Sequence, residues 1–364
     1  MKINFLQGVI DISALNIILT VIIAVLLFAL IIGIHEFGHF ITAKKFGVKV
    51  NEFALGMGPK IWSKQGKETM YSLRLIPIGG YCAMEGEDEE SDDERAINNK
   101  KWWKRAIIIS AGAVMNILLG IVFMFIIQVQ EPYYASTTIA YLVSDSTSMN
   151  AGIQVDDEIY SINGYRTLCA TDMSFALSTA KDGILDVVVK RNGEKLAFND
   201  LQMEVVSYSD GVAVTNIDFK VYRVDKTVKT VITSTFSETL AFVRMIYSSF
   251  IMLFKGQVGF NELSGPVGMA TAIGQVAEQG FAKNFLAGLN NIIYFMALIT
   301  VNLGIFNLLP IPALDGGRLF FILVEAVRGK PISPEKEGMV HFIGFALLIL
   351  LMIAVTIKDV WSLF

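Results

Sequence analysis

Residues 14–34 read Ala-Leu-Asn-Ile-Ile-Leu-Thr-Val-Ile-Ile-Ala-Val-Leu-Leu-Phe-Ala-Leu-Ile-Ile-Gly-Ile, and His35-Glu36-Phe37-Gly38-His39 follows without a break. An uncharged apolar run of this length, at 1.5 Å per helical residue, covers a hydrocarbon core of ~30 Å. Ala14–Ile34 is therefore expected to span a membrane as a helix, with the ionisable residues at its end. A secretory signal is the rival reading. The stretch lacks a basic start, is too long for one, and is followed by no small-residue cleavage site, so the expectation is a retained span.

Working outward, the whole chain is 53% hydrophobic and 18% charged, where soluble domains sit near a quarter charged. That composition predicts an integral membrane protein. The net charge of -4 and the absence of a basic stripe argue against a nucleic-acid partner. Three further spans are expected: Ala106–Ile127, Ile292–Leu309 (starting about a turn earlier) and Phe342–Ile357, extended toward Trp361. A fifth apolar stretch, Thr239–Phe254, is interrupted by Arg244, Ser248 and Ser249. It suits an amphipathic helix at the interface or packed on the spans. Twelve Lys and Arg fall in Ile41–Arg105 and four in Arg318–Glu337, against only Lys2 and Lys358 in the tails. The positive-inside tendency places those two loops in the cytoplasm and both termini outside. Cys82 and Cys169 then lie on opposite sides of the bilayer, match no metal spacing, and are not expected to pair.

The predicted organisation is a polytopic α-helical membrane protein with four transmembrane helices, a membrane-associated β-hairpin and an inserted β-rich domain. Its segments are a first span (1–41), a cytoplasmic loop with the hairpin (42–105), a second span (106–128) and an extracytoplasmic β-rich domain (129–220). A linker with an amphipathic helix (221–283), a third span (284–317), a cytoplasmic loop (318–340) and a fourth span (341–364) complete it. In the inserted domain, strands are expected at Ile139–Val143, Glu158–Ile162, Leu185–Lys190 and Lys195–Phe198. Tight turns are expected at Asn163-Gly164 and Asn192-Gly193, with a helix at Asp172–Lys181 capped by Thr171. The run Ala151–Ile159 followed by Ser161-Ile162-Asn163-Gly164 resembles the core motif of PDZ domains, which bind an extended peptide beside a sheet edge. In the first cytoplasmic loop, Met70–Ile76 leads into Pro77-Ile78-Gly79-Gly80-Tyr81, a hairpin signal. The acidic run Glu85–Glu94 reads as solvated.

His35-Glu36-Phe37-Gly38-His39 is an H-E-x-x-H sequence. Residues four apart share a helical face, so both imidazoles can bind one zinc ion, and Glu36 can serve as general base toward a water that zinc makes acidic, with a pKa of ~7. The bland alternative is a polar helix face. An ionisable residue at the centre of a span costs ~2.5–3.5 kcal/mol, and less toward its end, so packing alone does not account for three of them here. Catalytic zinc sites take a third protein ligand. Asp315, within Pro310-Ile311-Pro312-Ala313-Leu314-Asp315-Gly316-Gly317, and His341 are the candidates, and predicted depth does not choose between them.

Taken together, HEFGH in the first span, Leu314-Asp315-Gly316-Gly317 after Asn307-Leu308-Leu309-Pro310, and a PDZ-like insert between spans two and three resemble the site-2 protease family of intramembrane zinc metalloproteases. The likeness is to RseP-type bacterial members, here with room for a single PDZ domain. Pro77–Tyr81 resembles the family's membrane-associated β-loop, and Ser264–Gly268 a segment before its third core span. The resemblance implies one Zn2+ per chain held by His35, His39 and Asp315, with Glu36 as base and Asn307 helping to hold the substrate backbone. It also implies single-span membrane-protein substrates already trimmed by another protease, such as anti-sigma factors or signal-peptide remnants, in the plasma or inner membrane of a bacterium. The site is expected near the cytoplasmic face. The hairpin around Gly79 and Gly80, with Ser72, Leu73, Arg74 and Leu75, is expected to offer an edge to an unwound substrate, and the PDZ-like domain to recognise a peptide terminus or exclude bulky ectodomains. A non-enzymatic PDZ scaffold and a metal permease are the competing readings.

Overall fold

The computed structural model describes all residues except 1–2, 88–90, 180–182, 210–211, 258, 260–262, 331 and 362–364. The chain forms two compact units, Met1–Phe123 with Leu263–Phe364, and Met124–Glu262. The first opens with α1 (Ile3–Lys45), which continues unbroken from the apolar run through HEFGH. Strands β1 (Val50–Gln65) and β2 (Met70–Met84) form the hairpin, and α2 (Trp102–Gln130) carries the second apolar run. Gly38 lets α1 and α2 meet backbone to backbone, since a Cβ there would stand 2.5 Å from the Ala111 carbonyl oxygen. Val48, Val50, Cys82, Met84, Ile108 and Ile109 bury together and fasten the hairpin's base to both helices. Each such side chain contributes about 1.5–3 kcal/mol by leaving water.

The hairpin is folded back on itself. Ala54 and Leu55 of β1 pair with Tyr81 and Gly80 on one side and with Ser72 and Leu73 on the other. The bends fall where Gly56, Gly58 and Gly79 adopt positive φ.

The second unit holds β3 (Tyr133–Leu142), α3 (Thr147–Asn150), β4 (Glu158–Ile162), β5 (Tyr165–Arg166), α4 (Ala170–Ser178), β6 (Ile184–Arg191), β7 (Glu194–Gln202), β8 (Val205–Ser209), β9 (Val212–Thr215) and β10 (Phe219–Asp225). An antiparallel sheet runs β10-β3-β4-β6-β7, β5 pairs with β4, and β8 and β9 form a separate ribbon. Both Asn-Gly turns place their two central residues at positive φ, as two-residue hairpins of this hand require. Ile139, Ile153, Ile159, Ile162, Leu185, Val187 and Val189 make the core. In the run that resembles a PDZ motif, buried Asp157 accepts the Gln154 N–H and pairs with Arg191, so its acid is structural.

Three sequence expectations shift here. The helix predicted from Asp172 begins at Ala170, with Cys169 rather than Thr171 at the cap, because the buried Asp172 carboxylate accepts the Leu168 N–H and ties down the preceding turn. Lys181, its expected end, lies outside the described residues. The sheet of the β-rich domain, expected to end by 220, continues to Asp225, since Arg223, Val224 and Asp225 pair with β3. Finally, α5 (Val228–Phe254) starts well before Thr239, on a Thr227 capping box. Its Thr233, Thr235 and Thr239 hydroxyls donate to carbonyls one turn back, which lets a threonine-rich segment stay helical. Arg244 of α5 pairs with buried Asp172 at 2.7 Å, and Phe242 and Ile246 are buried beside it. Ile232, Phe236, Leu240, Tyr247 and Ile251 are exposed on the other face.

The first unit resumes with α6 (Pro266–Phe281), α7 (Phe285–Phe306), α8 (Asp315–Arg328) and α9 (Pro334–Trp361). Ser264–Gly268 is the start of α6: the Asp359 carboxylate accepts the N–H groups of Gly265 and Gly268, both at 2.8 Å. Small residues again set helix contacts, with Gly280 against Gly288 and Gly304 against the Ala113 carbonyl. The loop expected at 318–340 is largely helix, because Ile322 and Leu319 of amphipathic α8 join the cluster at the hairpin's base. Among the described residues, α1, α2, α5, α7 and α9 are long and apolar enough to cross a bilayer, α5 being the least apolar, with a mean hydropathy of 1.2 against 2.9 for α1. The molecule is thus an α-helical membrane protein with an inserted β-rich unit.

Candidate metal centre

His35 and His39 lie one turn apart on the buried face of α1, and Asp315 is the first residue of α8. A carboxylate in the first turn is favoured by the helix dipole. Gly316 allows this placement, because a Cβ there would stand 1.9 Å from the Leu309 carbonyl oxygen. The two Nε2 atoms are 3.3 Å apart, and Asp315 Oδ2 lies 3.1 Å from that of His35 and 3.3 Å from that of His39. Among the described residues these three form the group able to hold a metal ion. Glu36 is within electrostatic reach of all three.

Hydrogen bonding alone does not explain the cluster. His39 Nδ1 donates to the Ile108 carbonyl at 2.9 Å, so in the neutral ring Nε2 carries a lone pair. Asp315 Oδ2 presents another at 3.3 Å. Two lone pairs at that separation repel unless a proton or a metal ion lies between them. A tetrahedral zinc ion with bonds of 2.0–2.1 Å separates its ligands by about 3.3–3.4 Å, which matches the triangle. The residues present fit zinc.

Two residues not singled out in the sequence complete the site, both on α2. Gly112 faces the imidazoles, and a Cβ there would lie 2.4 Å from His39 Nε2 and 2.8 Å from His35 Nε2. Asn116, one turn on and fully buried, has its amide 3.2 Å from His35 Nδ1 and its Oδ1 without a partner. Turning that amide over would let Oδ1 accept from Nδ1–H, satisfy the orphan oxygen and leave His35 Nε2 free for metal. The available signal was a polar residue inside an apolar run, with glycine four residues earlier on the same face.

The remaining expected site residues are placed as follows. Gly80 packs on α1, where a Cβ would meet Glu36 Cγ and Ile32 Cγ2, both at 3.2 Å. Gly79, at φ 88, turns the strand against Met57. Asn307 is buried at the C-terminal end of α7. Ser72 and Leu73 do not offer an edge: Ser72 pairs with both Ala54 and Ser63, and Leu73 with both Leu55 and Trp62. Arg74 is committed to Glu52 and the Gly58 carbonyl within the sheet, and Leu75 is exposed. Gly80, Tyr81, Cys82 and Ala83 have strand partners on one side alone among the described residues, so one open edge runs there; Trp62–Gln65 form the other. His341 is not in the metal cluster; its Nδ1 accepts the Ala313 N–H at 2.9 Å.

A His-His-Asp triangle with a glutamate beside it, its two histidines buried on a helix continuous with an apolar span, points to the class of membrane-embedded metallopeptidases. The family model for peptidase family M50 matches residues 23–351. A putative zinc metalloprotease of Clostridium acetobutylicum is 39% identical over 345 residues, covering 93% of this chain and 97% of its own. The zinc metalloprotease RasP of Oceanobacillus iheyensis is 33% identical, covering 95% and 99%. The regulator of sigma-W protease RasP of Bacillus subtilis is 30% identical, with the same coverage. The chain belongs to peptidase family M50, the site-2 proteases, and is a zinc metalloprotease.

Replacing Gly112 with Ala puts a methyl group in the space the ion needs. Zinc measured on the purified protein should fall from about one per chain toward none, while Gly338→Ala, with nothing within 4 Å of its Cβ, keeps it. Full zinc in Gly112→Ala would contradict this geometry.

Proposed function

We propose that the protein is an intramembrane endopeptidase, cutting a peptide bond within or beside the transmembrane segment of single-span membrane proteins. The observation that carries this reading is the position of the three donor atoms and Glu36 on and against a helix that is continuous with an apolar span. His35, His39 and Asp315 hold the ion, which when bound supplies Lewis acidity that makes water nucleophilic near neutral pH and polarises the scissile carbonyl. The Glu36 carboxylate takes the proton from the attacking water and delivers it to the leaving amine. His39 is oriented by the Ile108 carbonyl and His35 by Asn116.

A helical substrate hides its carbonyls in its own hydrogen bonds and must unwind, which leaves backbone groups costing several kcal/mol each in lipid. The open edge at Gly80–Ala83 pairs with that unwound strand, and Gly80 brings it against Glu36. Asn307 holds the substrate backbone near Asp315. The spans are α1, α2, α7 and α9. The Arg244–Asp172 pair and the exposed apolar face of α5 favour an interfacial helix bound to the β-rich unit. The distribution of Lys and Arg favours extracytoplasmic termini and a site near the cytoplasmic face of a bacterial plasma or inner membrane. The β-rich unit is PDZ-like and recognises a peptide terminus or excludes bulky ectodomains. Similarity to a relative named regulator of sigma-W protease favours pre-trimmed anti-sigma factors as substrates, with signal-peptide remnants as the second class.

Co-expression with a panel of single-span proteins tests the reaction. Shortened products should appear with the native chain and drop by at least ~10²-fold with Glu36→Gln, at unchanged zinc content; equal cleavage by the variant would refute Glu36 as base. Gly80→Val tests the edge. It should push the strand off α1 and lower cleavage by roughly 10²-fold, the scale of a 1 Å misplacement, with zinc retained. Wild-type turnover in that variant would remove the edge from the mechanism.

A further inference from the structure

Asp315 follows a loop whose geometry is unusual two residues upstream. Ala313 is at φ 74, a left-handed conformation that a residue with a Cβ rarely adopts. The only side-chain bond to its N–H among the described residues is from α9, where His341 Nδ1 accepts it at 2.9 Å. The same end of α9 presses on the loop at one more point and on the first turn of α8 at another. A Cβ at Gly344 would stand 2.3 Å from Pro312 Cβ, and one at Gly317 would stand 3.1 Å from His341 Cε1. Phe321 of α8 stacks near the imidazole with ring centroids 5.7 Å apart. His341 Nε2 is buried, has no hydrogen-bond partner, and lies 3.9 Å from Glu337 Oε1.

We infer that His341 is a positioning residue for the metal ligand: its Nδ1 lone pair holds the Ala313 amide, locks the left-handed turn, and thereby presents the Asp315 carboxylate to the two imidazoles. Because Nδ1 accepts, the ring proton sits on Nε2, and the ring offers no lone pair to a metal on that side. The residue that competes with Asp315 as a ligand on sequence grounds thus serves Asp315 through two intervening residues. Groups that orient metal ligands from outside the coordination sphere typically alter metal affinity 10–100-fold when removed. An equally packed apolar side chain at 341 would leave the part-buried Ala313 N–H without its side-chain acceptor. An asparagine would keep one, since its Oδ1 stands the same number of bonds from Cβ as Nδ1 of histidine.

The inference rests on the zinc site described above, and zinc retention tests it. The full-length protein in detergent, loaded with zinc, is challenged with a chromogenic chelator, and zinc release is compared across variants. Asp315→Ala is the control for the site itself; if it holds zinc like the native chain, the ligand assignment fails, whatever His341 does. Given that control, His341→Leu should lose zinc about 10–100-fold more readily, and His341→Asn should stay within about 3-fold of the native chain. Ala313→Gly, which adopts positive φ without a Cβ clash, should recover part of the loss in the His341→Leu background. Native-like retention by His341→Leu would overturn the inference. So would equal loss by His341→Asn and His341→Leu, or no recovery by Ala313→Gly, in chains with native helix content by circular dichroism.

Discussion

Three lone pairs pointed at one spot, two from imidazoles on α1 and one from the carboxylate that begins α8, are the constraint around which the first unit is arranged. Held 3.1–3.3 Å apart, they form a nest that a shared cation fits. Apolar packing alone does not bring such atoms together. The close approach comes from glycines: Gly38 and Gly112 between α1 and α2, Gly304 between α7 and α2, and Gly316 where α8 starts against the Leu309 carbonyl. In lipid, where burial from water does not drive helices together, these contacts supply dispersion attraction at backbone range. A Cβ at any of them would meet a neighbouring atom at 2.8 Å or less.

The hairpin stands in the same relation to Glu36. Its base is fixed by an apolar cluster shared with α1, α2 and α8, and Gly80 brings its backbone against the Glu36 side chain. Two outer segments, Gly80–Ala83 and Trp62–Gln65, keep strand partners on one side alone among the described residues, and the first of them carries the glycine that packs against Glu36. An open edge is usually an aggregation hazard. Here its Gly80 end packs against Ile32 and Glu36 of α1.

Much of the centre is legible in the sequence because it is local. HEFGH continues an apolar run, and a one-turn spacing is enough to place both histidines on one face. Asp315 was legible through the surrounding motif rather than through geometry, since His341 sits at the same predicted depth and only its bond to Ala313 separates the two. Gly112 and Asn116 were missed because a glycine and an asparagine in an apolar run acquire their meaning from the helix they face. Alternation identified the strand at Ser72–Leu75 but not its neighbours, and β1 turned out to occupy the side expected to be free. The early start of α5 was hidden by threonines, whose hydroxyls satisfy themselves within the helix.

The most direct test of this account is the zinc K-edge absorption spectrum of the purified protein. A first shell of nitrogen and oxygen at about 2.0–2.1 Å is predicted, with the multiple-scattering pattern of two imidazoles and one carboxylate contribution that disappears in Asp315→Ala. A third imidazole, or a sulfur shell near ~2.3 Å, would contradict a centre assembled from His35, His39 and Asp315.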